Sequence, residues 1–294
     1  MKSYDIVIFG NYTSDTVITQ NSKRHVDGGG FNYGAHAAVG LGKKVAAITR
    51  LAQSDDHVVA KLEKAGIEVF PTFTDTSTHM ILDHPTDNPD ERILTCPKTA
   101  GSYTIDQFED FSAKAWLINA SVREEVPLEV VEYLHEKPGW LVADAQGFLR
   151  VRDENNKLVH TEWPQKKEVL AKLDMIKADI GEAESLTGTR ELKKAAQILN
   201  DWGPSEIVLT HRSGVLVYAD ENYYEEEFYP EELVGRSGRG DTCIASYAAK
   251  RLTSPPEEAI IWSAALTSLK MESDNPFLGT IDDVKDLIKR KYDE

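Results

Sequence analysis

The chain has 294 residues and a formal net charge of −16 at neutral pH. A chain this acidic argues against a nucleic-acid partner, because nucleic acids attract basic surfaces. No apolar run approaches the ~20 residues that cross a bilayer, so no membrane partner is expected. The start of the chain predicts a strand rather than a secretory leader, and Cys96 and Cys243 are the only cysteines; we therefore expect a cytoplasmic protein without disulfides.

Short apolar runs alternate with amphipathic segments along the chain. Buried strands that alternate with helices predict an α/β fold with a mostly parallel central sheet covered on both faces. The length suits one domain over residues 1–294. The predicted strands are Ile6–Phe9, Val45–Ile48, Trp116–Ile118, Trp140–Ala143, Met175–Ile176 and Ile207–Leu209. The predicted helices are Phe31–Leu41, His57–Lys64, Leu128–His135, Gln165–Lys172, Glu182–Leu186 and Arg190–Trp202.

Two regions, around 11–27 and 70–97, interrupt this alternation with short β-type stretches. Pro85, Pro89 and Pro97 punctuate the second region, which includes a possible strand at Glu91–Thr95. We expect both regions to form a small β lid over the site. Exposed lid edges can pair between chains, so a homodimer through the lid is a possible assembly.

Polar and glycine-rich residues follow the first strand. Asp15 belongs to a cluster that could bind sugar hydroxyls or simply cap a loop. Gly28 and Gly29 then lead into an alanine-rich helix that carries Asn32 near its start. This pattern fits either a substrate loop or a tight turn before a close-packed helix.

Two later strands also end in polar residues. Gln146 and Arg150 follow the strand at 140–143, and ligands of parallel sheets bind beyond the carboxyl ends of strands. Asp179 and Glu182 are three residues apart at a strand-to-helix turn, so both can face one point. The same spacing is typical of a helix N-cap with an acidic first turn.

The most informative stretch is Gly235–Thr242, in which Gly238, Arg239 and Gly240 precede Asp241 and a predicted helix. A glycine-rich turn that opens a helix presents backbone N–H groups at the positive end of the helix dipole, where a phosphate can bind. A carboxylate in the first turn could take a proton from an alcohol while the amides hold the phosphoryl group.

Taken in order, these motifs resemble the pfkB carbohydrate kinases, the ribokinase-like family, over nearly the whole chain. The resemblance implies a three-layer sandwich with a small β lid, and ATP and Mg²⁺ as cofactors. It makes Asp241 the general base and Gly238, Arg239 and Gly240 the anion hole. The substrate contacts it implies are Asp15, Gly28 or Gly29, and Asn32. Thr210 and Gly214, after the strand at 207–209, would lie near the nucleotide, and Glu182 with Asp179 would act through water on Mg²⁺.

The chain departs from the family pattern at three positions. Gly235 stands where an acidic residue is usual, Arg239 where a small one is usual, and Asp179 where an asparagine is usual. Arg239 either adds positive charge near the transferred phosphoryl group or turns to solvent. The stretch from Asp144 to Arg150 resembles the Asp-x-Gln-Gly-x-x-Arg segment of a branch that includes myo-inositol kinases, which adds Gln146 and Arg150 to the implied substrate contacts.

The sequence therefore predicts an ATP-dependent kinase for a hydroxyl of a small sugar or cyclic polyol. A nucleoside kinase of the same family and a non-catalytic sensor on a kinase fold remain as alternatives. A nicotinamide dehydrogenase is disfavoured, because the turn after the first strand lacks the G-x-G-x-x-G pattern.

Overall fold

The computed structural model describes residues 1–86 and 92–292. Its central sheet has nine strands in the order β15-β14-β13-β12-β9-β8-β1-β4-β5. Neighbouring strands are parallel from β13 through β5, whereas β13–β14 and β14–β15 are antiparallel pairs. These strands are β1 (Lys2–Phe9), β4 (Val45–Ala52), β5 (Glu68–Thr74), β8 (Phe111–Ile118), β9 (Trp140–Asp144), β12 (Met175–Asp179), β13 (Glu206–Thr210), β14 (Gly214–Ala219) and β15 (Asn222–Glu227).

Helices cover both faces of this sheet. Successive side chains of a strand point to opposite faces; accordingly, Ile6 and Ile8 pack into one core cluster, and Val7 and Phe9 into the other. The helices of the first face are α1 (Gly30–Gly40), α2 (His57–Lys64), α8 (Arg239–Arg251), α9 (Pro256–Met271) and α10 (Ile281–Lys291). Those of the second are α3 (Leu128–His135), α4 (Gln146–Leu149), α5 (Lys166–Leu170), α6 (Ile180–Thr187) and α7 (Leu192–Asn200).

A second, four-stranded sheet of order β3-β2-β6-β7 forms the lid. It contains β2 (Thr13–Ile18), β3 (Lys23–Gly28), β6 (Thr78–Asp83) and β7 (Ile93–Lys98). Beside it lies the hairpin of β10 (Arg150–Arg152) and β11 (Leu158–His160), which the sequence did not indicate. The expected lid region 70–97 is wrong at residues 70–74, which belong to β5 of the central sheet. Pro89 and Glu91 lie outside the described residues.

The α/β fold with its mostly parallel sheet and small β lid is confirmed, and the six predicted strands all lie within strands of the central sheet. The hairpin of β14 and β15 was not predicted. Its outer strand, β15, carries the acidic run Glu225–Glu227 at the edge of the sheet. In the described part of the chain, no helix combines the length and apolar character that a membrane span requires.

Candidate active site

The start of α8 is shaped by a glycine that no other residue can replace easily. Gly238, the residue before the helix, has a left-handed conformation with φ of 73°. A side chain at this position would collide with the ring of Tyr33 from α1. The first turn of α8 therefore lies against α1, and it carries Asp241, which is 8% exposed.

Two side-chain amides hold the carboxylate of Asp241. Asn119, which follows β8, donates from Nδ2 to Asp241 Oδ1 over 2.9 Å, and Gln146 donates from Nε2 to the same oxygen over 3.1 Å. Gly30 leaves room for this oxygen, because a side chain there would collide with it. With Oδ1 engaged by two donors, Oδ2 is the oxygen available to accept a proton from a ligand.

A cleft between the lid and the ends of the central strands lies over this carboxylate. Asp15 reaches into it from β2, and Asp15 Oδ1 is buried without a hydrogen-bond partner in the described part of the chain. Burial raises the pKa of the Asp15 carboxyl to about 7. The residues that line the cleft are Thr13, Asp15, Gly29, Gly30, Tyr33, Met80, Leu82, Arg92, Leu94, Ser121, Gln146, Arg150, Leu158, Ser237, Gly238 and Asp241.

The structure separates the two candidate glycines of the substrate loop. Gly29 lines the cleft and has φ of 101°, whereas Gly28 lies behind Asp15, whose carboxylate a side chain at Gly28 would strike. Asn32 does not line the cleft. Its Nδ2 donates instead to the carbonyl of Asp27 over 3.2 Å, so this amide closes the turn that enters α1.

A buried ion cluster lies beneath Gly240. The ammonium of Lys177 is 3.1 Å from Asp144 Oδ2 and 3.4 Å from Glu182 Oε2, and all three side chains are almost fully buried. A side chain at Gly240 would collide with Lys177 Nζ. Burial by itself lowers the pKa of Lys177, but the negative charges of Asp144 and Glu182 outweigh that effect and raise it, so the ammonium keeps its charge.

Asp179 and Glu182 form a capping box at the start of α6. Glu182 N donates to Asp179 Oδ1 over 2.8 Å, and Asp179 N donates to Glu182 Oε2 over 2.7 Å. This geometry satisfies two backbone donors that a helix start leaves free. Within the described ranges, no group of three or more His, Cys, Asp or Glu side chains is arranged to hold a metal ion directly.

Thr210 ends β13 and Gly214 begins β14, so the turn between them lies beyond the carboxyl end of β13. Thr210 is 1% exposed, and its Oγ1 has no hydrogen-bond partner in the regions that the structure describes. Gly214 is required by the hairpin itself, since a side chain there would collide with the backbone of Glu226 on β15.

The family model of the pfkB family carbohydrate kinases matches residues 4–277, nearly the whole of this chain. The chain belongs to the pfkB carbohydrate kinases. Being a member of that family makes it a phosphotransferase with an alcohol group as acceptor, as the order of its motifs predicted.

Relatives of this pfkB chain are known among solved structures and curated proteins. A structure of a pyrophosphate-dependent kinase in the ribokinase family, with a pyrophosphate analogue and myo-inositol, is 32% identical, with a TM-score of 0.88 over 96% of this chain and 99% of that one. Arabidopsis thaliana ribokinase, with ribose and ATP, shares the fold at 17% identity and a TM-score of 0.79 over 98% of this chain and 99% of that one. A cytidine kinase of Thermococcus kodakarensis is 26% identical over 83% of this chain and 87% of its own length.

Several residues that the motifs did not single out surround the site of this pfkB kinase. Asn119 follows a predicted strand at its carboxyl end, so the rule for parallel sheets could have found it. Lys177 and Tyr33 carry no comparable signal, because only the packing of distant elements brings them to α8. Arg92 and Ser121 line the cleft from the lid and from the loop after β8.

Proposed function

We propose that this kinase transfers a phosphoryl group to a hydroxyl of a small cyclic polyol, with myo-inositol as the first candidate. The observation that carries the proposal is the carboxylate of Asp241, which lines the cleft directly after the glycine-rich turn at 238–240. Amides at the start of α8 suit the transferred phosphoryl group, and the carboxylate suits the attacking hydroxyl.

In this mechanism the acceptor lies in the cleft with its hydroxyls on Asp15, Gly29 and Arg150. Asp241 Oδ2 takes the proton of one hydroxyl while that oxygen attacks the terminal phosphorus of the donor in line. The bond from phosphorus to its bridging oxygen breaks, and the bridging oxygen leaves with the rest of the donor. The backbone N–H groups at Gly238 and Gly240 receive the charge of the phosphoryl oxygens. The third amide of the expected anion hole, Arg239 N, donates instead to the carbonyl of Arg236 over 3.2 Å.

The side chains of Asp179 and Glu182 suit an indirect role in magnesium binding. One oxygen of each carboxylate is engaged in the capping box, yet both groups bring negative charge to the same turn. Mg²⁺ commonly keeps several waters and binds through substrate phosphates, so these carboxylates would hold it through water. When bound, the ion would offset the negative charge of the donor phosphates.

We propose inorganic pyrophosphate as the donor, in place of the ATP that the sequence suggested. The relative at 32% identity is named pyrophosphate-dependent, and its structure was solved with myo-inositol. The cationic groups here also suit a small, highly charged donor. Arg92 and Arg150 both line the cleft. Arg92 feels the positive charges of Arg150 and Arg239 and the negative charges of Asp179 and Glu182, so cationic groups lie between the cleft and the turn at α6.

A nucleoside acceptor is the second candidate, because the curated relative is a cytidine kinase. The deciding experiment offers magnesium pyrophosphate and magnesium ATP with each of myo-inositol, ribose, fructose, 2-keto-3-deoxygluconate, adenosine and cytidine. Phosphorus NMR identifies the phosphorylated hydroxyl. Turnover of myo-inositol with pyrophosphate supports the proposal, turnover of cytidine with ATP replaces it, and no turnover with any pair favours the non-catalytic sensor.

The Asp241→Asn variant tests the assigned base. We expect its kcat to fall by roughly 10²–10⁴-fold, the usual contribution of general-base catalysis, while pyrophosphate still binds by calorimetry. Asp286→Asn, on the exposed face of α10, is the matched control and should keep normal turnover. Near-normal kcat in Asp241→Asn would show that another group takes the proton.

The homodimer through the lid stays a prediction. β3 and β7 are the outer strands of the lid sheet. Part of the β7 edge already pairs with the loop of the β10–β11 hairpin, so β3 offers the edge through which two copies could pair. Sedimentation equilibrium on the purified chain tests it directly.

A further inference from the structure

Lys270 is a buried cation that the mechanism above does not use. It lies in the last turn of α9 and is 1% exposed. Its Nζ donates to the carbonyl of Ser273 over 2.9 Å. Burying an ammonium is unfavourable unless nearby groups compensate, and a methionine would fill the same space without that penalty. The placement of this charge therefore calls for a functional explanation.

The turn that Lys270 holds supports one end of the glycine-rich segment before α8. The carbonyl of Met271 accepts hydrogen bonds from Val234 N over 3.0 Å and from Gly235 N over 3.1 Å. Gly235 packs so closely on this turn that a side chain there would come within 3.1 Å of the Ser273 carbonyl oxygen. The same carbonyl receives the ammonium of Lys270, so the lysine fixes the surface on which Gly235 rests.

The other end of the segment rests on an aromatic ring near the same ammonium. Lys270 Nζ is 5.4 Å from the centroid of the Tyr33 ring, within the range of a cation–π interaction. That ring packs against Gly238, the residue that opens α8. Both ends of the segment 235–238 therefore rest on groups that contact Lys270.

We propose that Lys270 is a positioning residue for phosphoryl transfer, an internal cation that fixes the phosphate-binding segment 235–240 from behind. The inference rests on the proposed function of that segment. A fixed ammonium keeps the backbone N–H groups aimed at the incoming phosphate, and its charge offsets part of the negative charge that the donor brings.

The charged groups around Lys270 make its role sensitive to pH. Burial lowers the pKa of the Lys270 ammonium to about 8, although the carboxylates of Asp274 and Asp241 oppose this shift. Asp274 also pairs with Arg24 of β3 over 2.9 Å, and the Tyr33 hydroxyl keeps its proton because burial raises its pKa. As pH rises above about 8, Lys270 therefore loses its charge while the Tyr33 hydroxyl keeps its proton.

The experiment compares Lys270→Met, which keeps the volume and removes the charge, with Lys270→Arg and Lys270→Ala. Lys250→Met is the control, since Lys250 lies at the far end of α8 and pairs with Glu258 there. Turnover is measured with magnesium pyrophosphate and the acceptor found in the substrate panel. The dissociation constant for pyrophosphate is measured by calorimetry, without an acceptor.

For Lys270→Met we expect kcat to fall at least tenfold, the KM for the acceptor to change less than threefold, and pyrophosphate to bind at least threefold more weakly. Methylammonium should raise the kcat of Lys270→Ala at least threefold, and tetramethylammonium should not. Wild-type kcat should decline above pH 8, whereas that of Lys270→Arg should not. The Lys250→Met variant should stay within twofold of wild type in every measurement.

Values for Lys270→Met within twofold of wild type in both kcat and pyrophosphate affinity would overturn the inference. If Lys270→Met does not fold, the same alkaline decline in wild type and Lys270→Arg would overturn it instead. A wild-type protein without turnover on any substrate would refute the proposed function. In that case the pyrophosphate affinities of the wild type and of Lys270→Met would still decide the role of Lys270.

Discussion

The charge of Asp15 should control how tightly the acceptor binds. Burial raises the pKa of this carboxyl to about 7, and its Oδ1 is buried in the cleft with no hydrogen-bond partner among the described residues. A hydroxyl of the acceptor donates a stronger, charge-assisted hydrogen bond to this oxygen when the carboxylate is ionised than when it is protonated. As pH falls through 7, protonation removes the negative charge of the Asp15 carboxylate, so the affinity of the protein for the acceptor should fall.

The size of the effect follows from the titration. With a pKa of about 7, roughly one tenth of the Asp15 groups are ionised at pH 6 and about nine tenths at pH 8. If only the ionised form binds well, the dissociation constant for the acceptor falls about tenfold between these two pH values. Above pH 8 the dependence should level off, because ionisation is then nearly complete.

The assay is isothermal titration calorimetry of the acceptor without a donor, from pH 5.5 to 9. Asp15→Asn should bind more weakly than wild type at pH 8 and show little dependence on pH. The exposed Asp286→Asn variant should reproduce the wild-type curve. A wild-type dissociation constant that changes less than twofold between pH 6 and 8, or an equal dependence in Asp15→Asn, would refute the assigned titration.

Two further predictions concern buried charges that support the site. Lys177→Met leaves the carboxylate of Asp144 buried without its lysine partner. The free energy of unfolding measured in urea should therefore fall by about 3–5 kcal/mol. The double variant with Asp144→Asn should recover part of the lost stability. A variant with the stability of wild type would contradict this. Glu125, which receives three backbone N–H groups at the loops after β1 and β8, has its pKa raised by burial from 4.5 to about 7. The folded protein therefore retains a proton there that the unfolded chain releases, and stability falls as pH rises from about 4.5 to 7. Glu125→Gln should remove this dependence, so its unfolding free energy relative to wild type should rise by about 3 kcal/mol across that range; a difference that stays constant with pH would disprove it.

Much of the fold could be predicted because the signals are local. Buried strands such as Ile6–Phe9 are short apolar runs, and α2 and α3 have the bounds that their amphipathic patterns predict. The edges of the sheet were missed for a physical reason. β15 is polar and acidic because it is an edge strand, and β5 carries proline and polar residues, so neither looks like a buried strand in sequence.

The site around Asp241 also has some features that the sequence could predict and others that it could not. The amino-acid sequence alone determined that a glycine-rich turn precedes a helix with an aspartate in its first turn, because turn and helix-start preferences act between neighbouring residues. Only the tertiary structure decided what surrounds that aspartate. Asn119 is 122 residues away from it along the chain, and Lys177 and Lys270 come to the segment from β12 and α9. A buried lysine is indistinguishable from a surface one in sequence, since its burial depends on how distant elements pack around it.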